Sequence, residues 1–329
     1  MQTKREDYLF LSAMLRAREP RMLSREKAER MLDAPSYAEC AKLLTDCGYE
    51  DMSQMNAAGI DRALSADRAE IFRELSLQPP ARDLVDLFRV KYDYHNAKVV
   101  LKAEAMGSDP LPLMSASGRV LPEALLTAYQ EERGHDLPER LAKALAEGKE
   151  ILARTANPQL ADFALDKAYF EELLALGAVR NNDFVKGYVS ILADSTNLKS
   201  AVRTVRMGKN ADFLRQALVP GGRVDPERLA AAGGEGLAAV FGGSALAEAA
   251  ALGAAAAEGG SMTAFELACD NAVMNYLRGA KLVSFGEEAV LAYLAAVENE
   301  ITAVRMILTG KLAGIAPQTI RERLRDLYA

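Results

Sequence analysis

Two Gly-Lys pairs, in MGKN (207–210) and TGKL (309–312), are the residues whose type most invites chemistry, because Gly-Lys closes a phosphate-binding loop. Such a loop needs a further glycine five residues before that Gly and a hydroxyl after the Lys to reach the metal. Here Arg203 and Arg305 stand at the earlier place, and Asn210 and Leu312 at the later one. Both pairs therefore read as helix C-caps with a base on the helix dipole. GEGLAA (234–239) spells a degenerate dinucleotide fingerprint, but the helical run PERLAAAG precedes it instead of a strand, so it reads as a loop. His95 and His135, the two histidines, lie near no cysteine pair and form no His-x3-His spacing, so they read as surface or packing residues. Carboxylate pairs such as Glu131/Glu132, Glu171/Glu172 and Glu298/Glu300 lack an aspartate-rich metal motif and read as solvated faces. No Ser or Cys sits in a nucleophile setting with a histidine partner. The sequence thus predicts no catalytic site, cofactor, metal site or small-molecule substrate, and points to a scaffold or coupling part.

The elements around these residues are helical. Of 329 residues, 50% are hydrophobic, enough for two or three ordinary domains. A net charge of -6 argues against a nucleic-acid surface. The opening MQTKREDYLFLSAMLRAREPRML is too short in its apolar run and too charged for a signal peptide or span, and no later segment is an apolar twenty-mer. Cys40, Cys47 and Cys269 make no disulfide framework and fit reduced thiols in a reducing compartment. Cys40 and Cys47, two turns apart on one predicted helix, read as core. The expectation is a cytoplasmic protein.

Strand-like alternation is scarce. Val290, Leu294, Val297, Ile301, Val304 and Leu308 step by four and three and place one apolar seam on a helix. Val185, Tyr188, Val189 and Leu192 do the same. Capping boxes are predicted at Ser36/Glu39, Thr263/Glu266 and Ser284/Glu287.

The chain also repeats itself. KYDYHNAKVVLKAEAMG (91–107), LADSTNLKSAVRTVRMG (192–208) and AVENEITAVRMILTGK (296–311) share one frame. Asn96, Asn197 and Asn299 are each followed six residues later by a base, Lys102, Arg203 or Arg305, and eleven residues later by Gly107, Gly208 or Gly310. Upstream, Asp67, Asp166 and Asp270 open Asp-x-Ala-x-apolar motifs 29, 31 and 29 residues before those Asn. Further upstream, GRVLPEAL at 118 matches GRVDPERL at 222, with PRMLSREKA at 20 a looser relative. Three helical repeats follow: 1–117 with an N-terminal arm, 118–221 and 222–329. Each long helix is expected to end near its shared glycine. Asn is unfavourable in mid-helix, so its recurrence predicts a side-chain hydrogen bond that fixes how helices meet. Asp93 and Asp194 precede their Asn by one turn, while the third repeat has Ala296 there. The Ala/Gly-rich stretch 233–260 breaks the style and reads as a small-sided, mobile lobe. Basic clusters at Arg16, Arg18, Arg21, Arg25, Lys27 and Arg30, and at Arg321, Arg323 and Arg325, read equally as a solvated face or as a surface for a partner or anionic lipid.

VKYDYHNAKVVLKAEAMG, YVSILADSTNLKSAVRTVRMGKN and ENEITAVRMILTGKLAGIAPQTIRERLRDLY resemble the C subunits of the prokaryotic V-type (A-type) ATPases, the counterparts of the eukaryotic d subunit. DYLFLSAMLRAREPRMLS resembles that family's start, so the match is end to end and loosest in the Ala/Gly-rich lobe. The resemblance implies an all-α chain of three similar helical domains in a pseudo-threefold funnel. It also implies a non-catalytic role on the cytoplasmic face of the membrane, between the central-stalk subunits and the rotating proteolipid ring. The rival reading is a general α-helical repeat scaffold for soluble proteins, which the period near a hundred residues disfavours.

Overall fold

The computed structural model describes residues 4–329, and no strand occurs among them, so the all-α expectation holds. In chain order the helices are α1 (Leu9–Arg18), α2 (Arg25–Asp33), α3 (Tyr37–Lys42), α4 (Ala57–Ser76), α5 (Arg82–Met106), α6 (Pro122–Gln130), α7 (Glu139–Thr155) and α8 (Pro158–Val179). They continue with α9 (Asp183–Arg206), α10 (Ala211–Ala217), α11 (Pro226–Ala231), α12 (Gly233–Phe241), α13 (Ala247–Ala257), α14 (Met262–Arg278), α15 (Glu287–Leu312) and α16 (Pro317–Arg321).

Side-chain caps start many of them. Ser24, Asn56, Asn182, Asn210, Asp225 and Ser261 each accept a backbone N–H of the first turn, satisfying donors that the helix leaves open. Of the predicted boxes, Ser36/Glu39 forms only its serine half: Ser36 Oγ accepts Glu39 N–H and caps α3, while it is the Ser36 hydroxyl, not its backbone N–H, that donates to Glu39 Oε1. The other two shift: Ser261, not Thr263, caps α14, and α15 starts after Gly286 with no side-chain cap. Cys40 and Cys47 do not share a helix, because α3 stops at Lys42 and Cys47 lies on a separate turn (Thr45–Cys47).

The chain forms two compact units. Unit 1 comprises Met1–Val85 and Ser261–Ala329; unit 2 comprises Asp86–Gly260. In unit 1, α15 is the central rod. Its predicted seam of Val290, Leu294, Val297, Ile301, Val304 and Leu308 is buried, and so are Ala289, Ala292, Ala295, Ala296 and Ala303 around it. A helix apolar on nearly every side must be covered on nearly every side; α1, α2, α3, α4, α14 and α16 supply that cover. In unit 2, α7 packs on α8 and α8 on α9. Phe88 of α5 stacks on Tyr188 of α9, ring centroids 5.8 Å apart, and Tyr94 of α5 meets Tyr169 of α8 at 5.9 Å.

These units cut across the sequence repeats 1–117, 118–221 and 222–329. Most of α5, the last helix of the first repeat, belongs with the second repeat's helices, and α15 of the third belongs with α1–α4 of the first. The stretch 233–260 is two helices, α12 and α13, packed on each other and on α9. Leu237 and Phe241 are buried there beside Ala249, Ala250 and Ala256, small side chains that bring the helices close.

Burial pushes the Cys40 thiol up to about 11, which starves it of thiolate at neutral pH. In the native chain at pH 8, Cys40 is expected to react with a disulfide reagent more than about a hundredfold more slowly than in urea-unfolded chain. Mass-spectrometric counting of labelled thiols over time checks this.

Candidate functional site: a repeated clasp between long helix and following segment

The three asparagines do one job. On α5, Asn96 Nδ2 donates to Ser115 O at 2.9 Å and Asn96 Oδ1 accepts Ser115 N–H at 2.8 Å. On α9, Asn197 Nδ2 donates to Val219 O at 2.9 Å and its Oδ1 accepts Val219 N–H at 2.8 Å. On α15, Asn299 Nδ2 donates to Asp326 O at 2.8 Å. A carboxamide carries one donor edge and one acceptor edge side by side, as a peptide unit does, so it pairs with an extended backbone the way a β-bridge would. The expected hydrogen bond is present, but it fixes an extended segment running back along the helix instead of a second helix. All three amides are buried, where an unpaired polar group would be costly.

One turn before Asn96, Asp93 is fully buried and accepts the N–H groups of Arg119 (2.8 Å) and Val120 (3.1 Å). Asp194, one turn before Asn197, accepts those of Arg223 (3.0 Å) and Val224 (3.2 Å). The two Gly-Arg-Val motifs noted in the sequence are thus the two segments held by these carboxylates. Their glycines follow from the contact: a Cβ on Gly118 would run into Asp93 Oδ1, and one on Gly222 into Asp194 Oδ1. At the first clasp the Arg119 side chain returns to the same carboxylate (Nε to Asp93 Oδ2, 2.6 Å) and reaches Glu172 (Nη1 to Oε1, 2.7 Å), which also accepts Tyr94 Oη–H at 2.9 Å. Burial alone would loosen the proton on Arg119, yet the bonds and charges of Glu172 and Asp93 outweigh it and push the guanidinium pKa up.

The third clasp is built differently. Ala296 occupies the aspartate's place, and the carboxylate reappears one turn further along α15. Glu300 Oε2 accepts Leu23 N–H at 2.7 Å and its Oε1 accepts Tyr49 Oη–H at 2.8 Å. Leu23 lies in PRMLSREKA, the first repeat's loose relative of the Gly-Arg-Val segments. The segment held by Asn299 lies beside the same residues, since Asp326 is 4.0 Å from Arg25 and Tyr328 Oη accepts from Arg16 at 3.3 Å. The long helix of each repeat therefore holds the start of the next repeat, and that of the third holds the start of the first.

Residues 11–323 match the sequence pattern of the ATP synthase (C/AC39) subunit family. The chain belongs to that family. It is 23% identical to the C subunit of the V-type sodium ATPase of Enterococcus hirae, over 98% of this chain and 99% of that one. It is 25% identical to the C subunit of the A-type ATP synthase of Methanocaldococcus jannaschii, over 97% of this chain and 86% of that one. With the C subunit of the V-type ATP synthase of Thermus thermophilus it shares 25% identity over 68% of this chain and 71% of that one.

Of the remaining positions singled out in this C/AC39 protein, Lys102, Arg305, Asp166 and Asp270 make ion-pair ties. Lys102 of α5 pairs with Asp162 of α8 at 2.7 Å, and Arg305 of α15 with Asp61 of α4 at 2.6 Å, again linking one repeat's long helix to the next repeat. Arg203 is exposed on the last turn of α9. Asp166 takes Lys98 at 2.6 Å and Asp270 takes Arg325 at 2.5 Å. Asp67 has no such cation: its Oδ2 is buried without a partner among the described residues, and burial and Glu50 raise its pKa. Gly107 and Gly208 end α5 and α9 at φ 62° and 65°, as expected. Gly310 does not end α15. It is buried inside the helix beside Ile320, and the left-handed residue is Gly314 at φ 69°. The basic clusters are largely bound within the fold: Arg16 to Glu19, Ala280 O and Val283 O, Arg18 to Glu74, Arg321 to Glu29 and Asp33. Glu172 and Glu300, read from sequence as solvated, are buried clasp residues; the signal that marks Glu300 is its position one turn from Ala296 on the seam helix.

Replacing Asn197 by Ala strands a buried N–H and C=O on Val219 and is expected to cost about 2 to 4 kcal/mol, read as a lower denaturant midpoint with the helical circular-dichroism spectrum retained. A second expectation concerns acid. Burial raises the pKa of Glu300 against the opposing pull of Leu23 N–H, Tyr49 Oη–H and Lys27. An acid whose folded pKa is raised penalises the fold where it is ionised, and acidification through that pKa relieves the penalty. The stability of Glu300→Gln minus that of the parent is therefore expected to be largest at pH 8 and to shrink as pH falls toward 5; a difference that grows on acidification would contradict the raised pKa.

Proposed function

We propose that this chain is a non-catalytic rotor part of a V-type or A-type ATPase, joining the central stalk to the membrane proteolipid ring on the cytoplasmic face. The observation that carries the reading is the hand-off of clasps, in which each long helix fixes the start of the next repeat and Glu300 returns the chain to Leu23. A part that transmits torque must resist deformation, and close-packed helices whose junctions are pinned by buried, paired polar groups deform little. Repetition of the junction supports three similar domains (1–117, 118–221, 222–329) arranged as a pseudo-threefold funnel. No helix among the described residues is long and apolar enough to cross a membrane, so attachment to a membrane machine would run through a surface contact. The family relatives, by name the C subunits of a sodium ATPase and of an ATP synthase, support the same reading.

The test is affinity purification of the tagged chain from detergent-solubilised membranes of its native host. Recovery of proteolipid together with central-stalk subunits is the expected result. Recovery of soluble partners alone would favour the helical-repeat scaffold.

A further inference from the structure

Cys47 is set apart from the other two thiols of the chain. Cys40 and Cys269 are fully buried, whereas Cys47 is half-buried on the turn Thr45–Cys47. A cation also rests on it: Lys27, in the first turn of α2, places Nζ 3.6 Å from Cys47 Sγ. The same ammonium donates to Arg21 O at 3.5 Å and Met22 O at 3.4 Å, so acceptors from two segments hold it beside the sulfur. An amine and a thiol are both nucleophiles and do not react with each other, but they do once the sulfur has been oxidised.

The pair stands at the third clasp. Leu23 and Tyr49 are the two donors to Glu300. Lys27 belongs to the segment of Leu23, its own N–H donating to the Ser24 Oγ cap at 3.3 Å, and Cys47 lies two residues before Tyr49. A bond between the Lys27 and Cys47 side chains would therefore join the two segments that Glu300 holds.

We propose that Lys27 and Cys47 are a covalent redox pair, which hydrogen peroxide converts into a sulfenamide that ties α2 to the Thr45–Cys47 turn and locks the third clasp. In the first step the Cys47 thiolate attacks peroxide, the O–O bond breaks, and sulfur gives up two electrons to become a sulfenic acid while hydroxide leaves. The hydroxide takes a proton from the Lys27 ammonium, which leaves water and a free amine. In the second step Nζ attacks sulfur, the S–O bond breaks, and the departing hydroxide takes the amine's proton as a second water. One peroxide is consumed, two waters form, and the chain loses two hydrogens. The 3.6 Å gap must close by about 2 Å, within the reach of lysine's flexible four-carbon stem. Burial pushes the Cys47 thiol up against the pull of Lys27, so thiolate is scarce and the first step is the slow one. The pair works within one chain, whatever its partners.

The test is mass spectrometry of the purified full chain, treated with hydrogen peroxide at pH 8 and digested without reductant. Expected is the Lys27 peptide joined to the Cys47 peptide at the sum of their masses less two hydrogens, split by dithiothreitol, and at least about tenfold less abundant when the chain is oxidised in urea, where proximity is lost. Lys27→Gln and Cys47→Ser, both at half-buried sites, are expected to keep the parent's helical circular dichroism and to lose the joined peptide. A native parent in which Cys47 passes to sulfinic acid, or stays unoxidised, with no joined peptide would overturn the proposal, as would a joined peptide equally abundant in the unfolded chain. A joined pair heavier by one oxygen would overturn the direct S–N bond. The linked chain is expected to melt about 5 °C above the reduced chain; an unchanged or lower melting temperature would overturn the lock.

Discussion

A carboxamide buried in the middle of a helix is the constraint on which the rest of this fold depends. Asn96, Asn197 and Asn299 sit where the helix already satisfies its own backbone, so each side chain needs a partner from elsewhere. The one surface that offers a donor and an acceptor at matching spacing is another stretch of backbone. Once Asn197 has taken Val219, the chain leaving α9 must run back along that helix. Asp194 then lies where the N–H groups of Arg223 and Val224 arrive, and the next repeat starts from a fixed point.

This arrangement explains why compact units and sequence repeats do not coincide. A repeat is bounded by its motifs, but a long helix that grips the start of the following repeat buries its apolar face there. Lys98 and Lys102 bind α5 to α8, and Arg305 binds α15 to α4. Covalent continuity and packing are thus offset by one helix, and the compact divisions fall inside repeats, after Val85 within α5 and after Gly260 between α13 and α14.

Much of this was legible in the sequence because it is local. The three-four spacing of the α15 seam, the Asn frame and the Gly-Arg-Val echo are patterns within a few turns. What was hidden is set by contacts between residues far apart in the chain. Glu300 and Leu23 are separated by most of the sequence, and the carboxylate had moved one turn, so Ala296 looked like an absence. Gly310 kept its place in the frame while the helix ran on, because Ile320 of α16 covers it. Thr263 and Ser261 are both competent caps, and two residues decide between them only through where the apolar face of α14 must point.

The three junctions are not chemically equal, and the difference bears on how such a part carries load. Asp93 has a guanidinium on it and two N–H donors, so its charge is answered inside the fold. Asp194 has two N–H donors, and the Arg223 side chain is exposed. Glu300 relies on one N–H and one phenol, with Lys27 acting on it through charge. A buried carboxylate without a bonded cation is held by neutral donors, which are shorter-ranged and more directional than charge. The junction where α15 holds Leu23 is therefore the one most sensitive to displacement: a small slip of Leu23 or Tyr49 takes a donor from a buried carboxyl, and the cost of leaving that oxygen unpaired drives the segment back. Stiffness at this point comes from the penalty for moving as much as from attraction, and it needs no covalent link between the third repeat and the first.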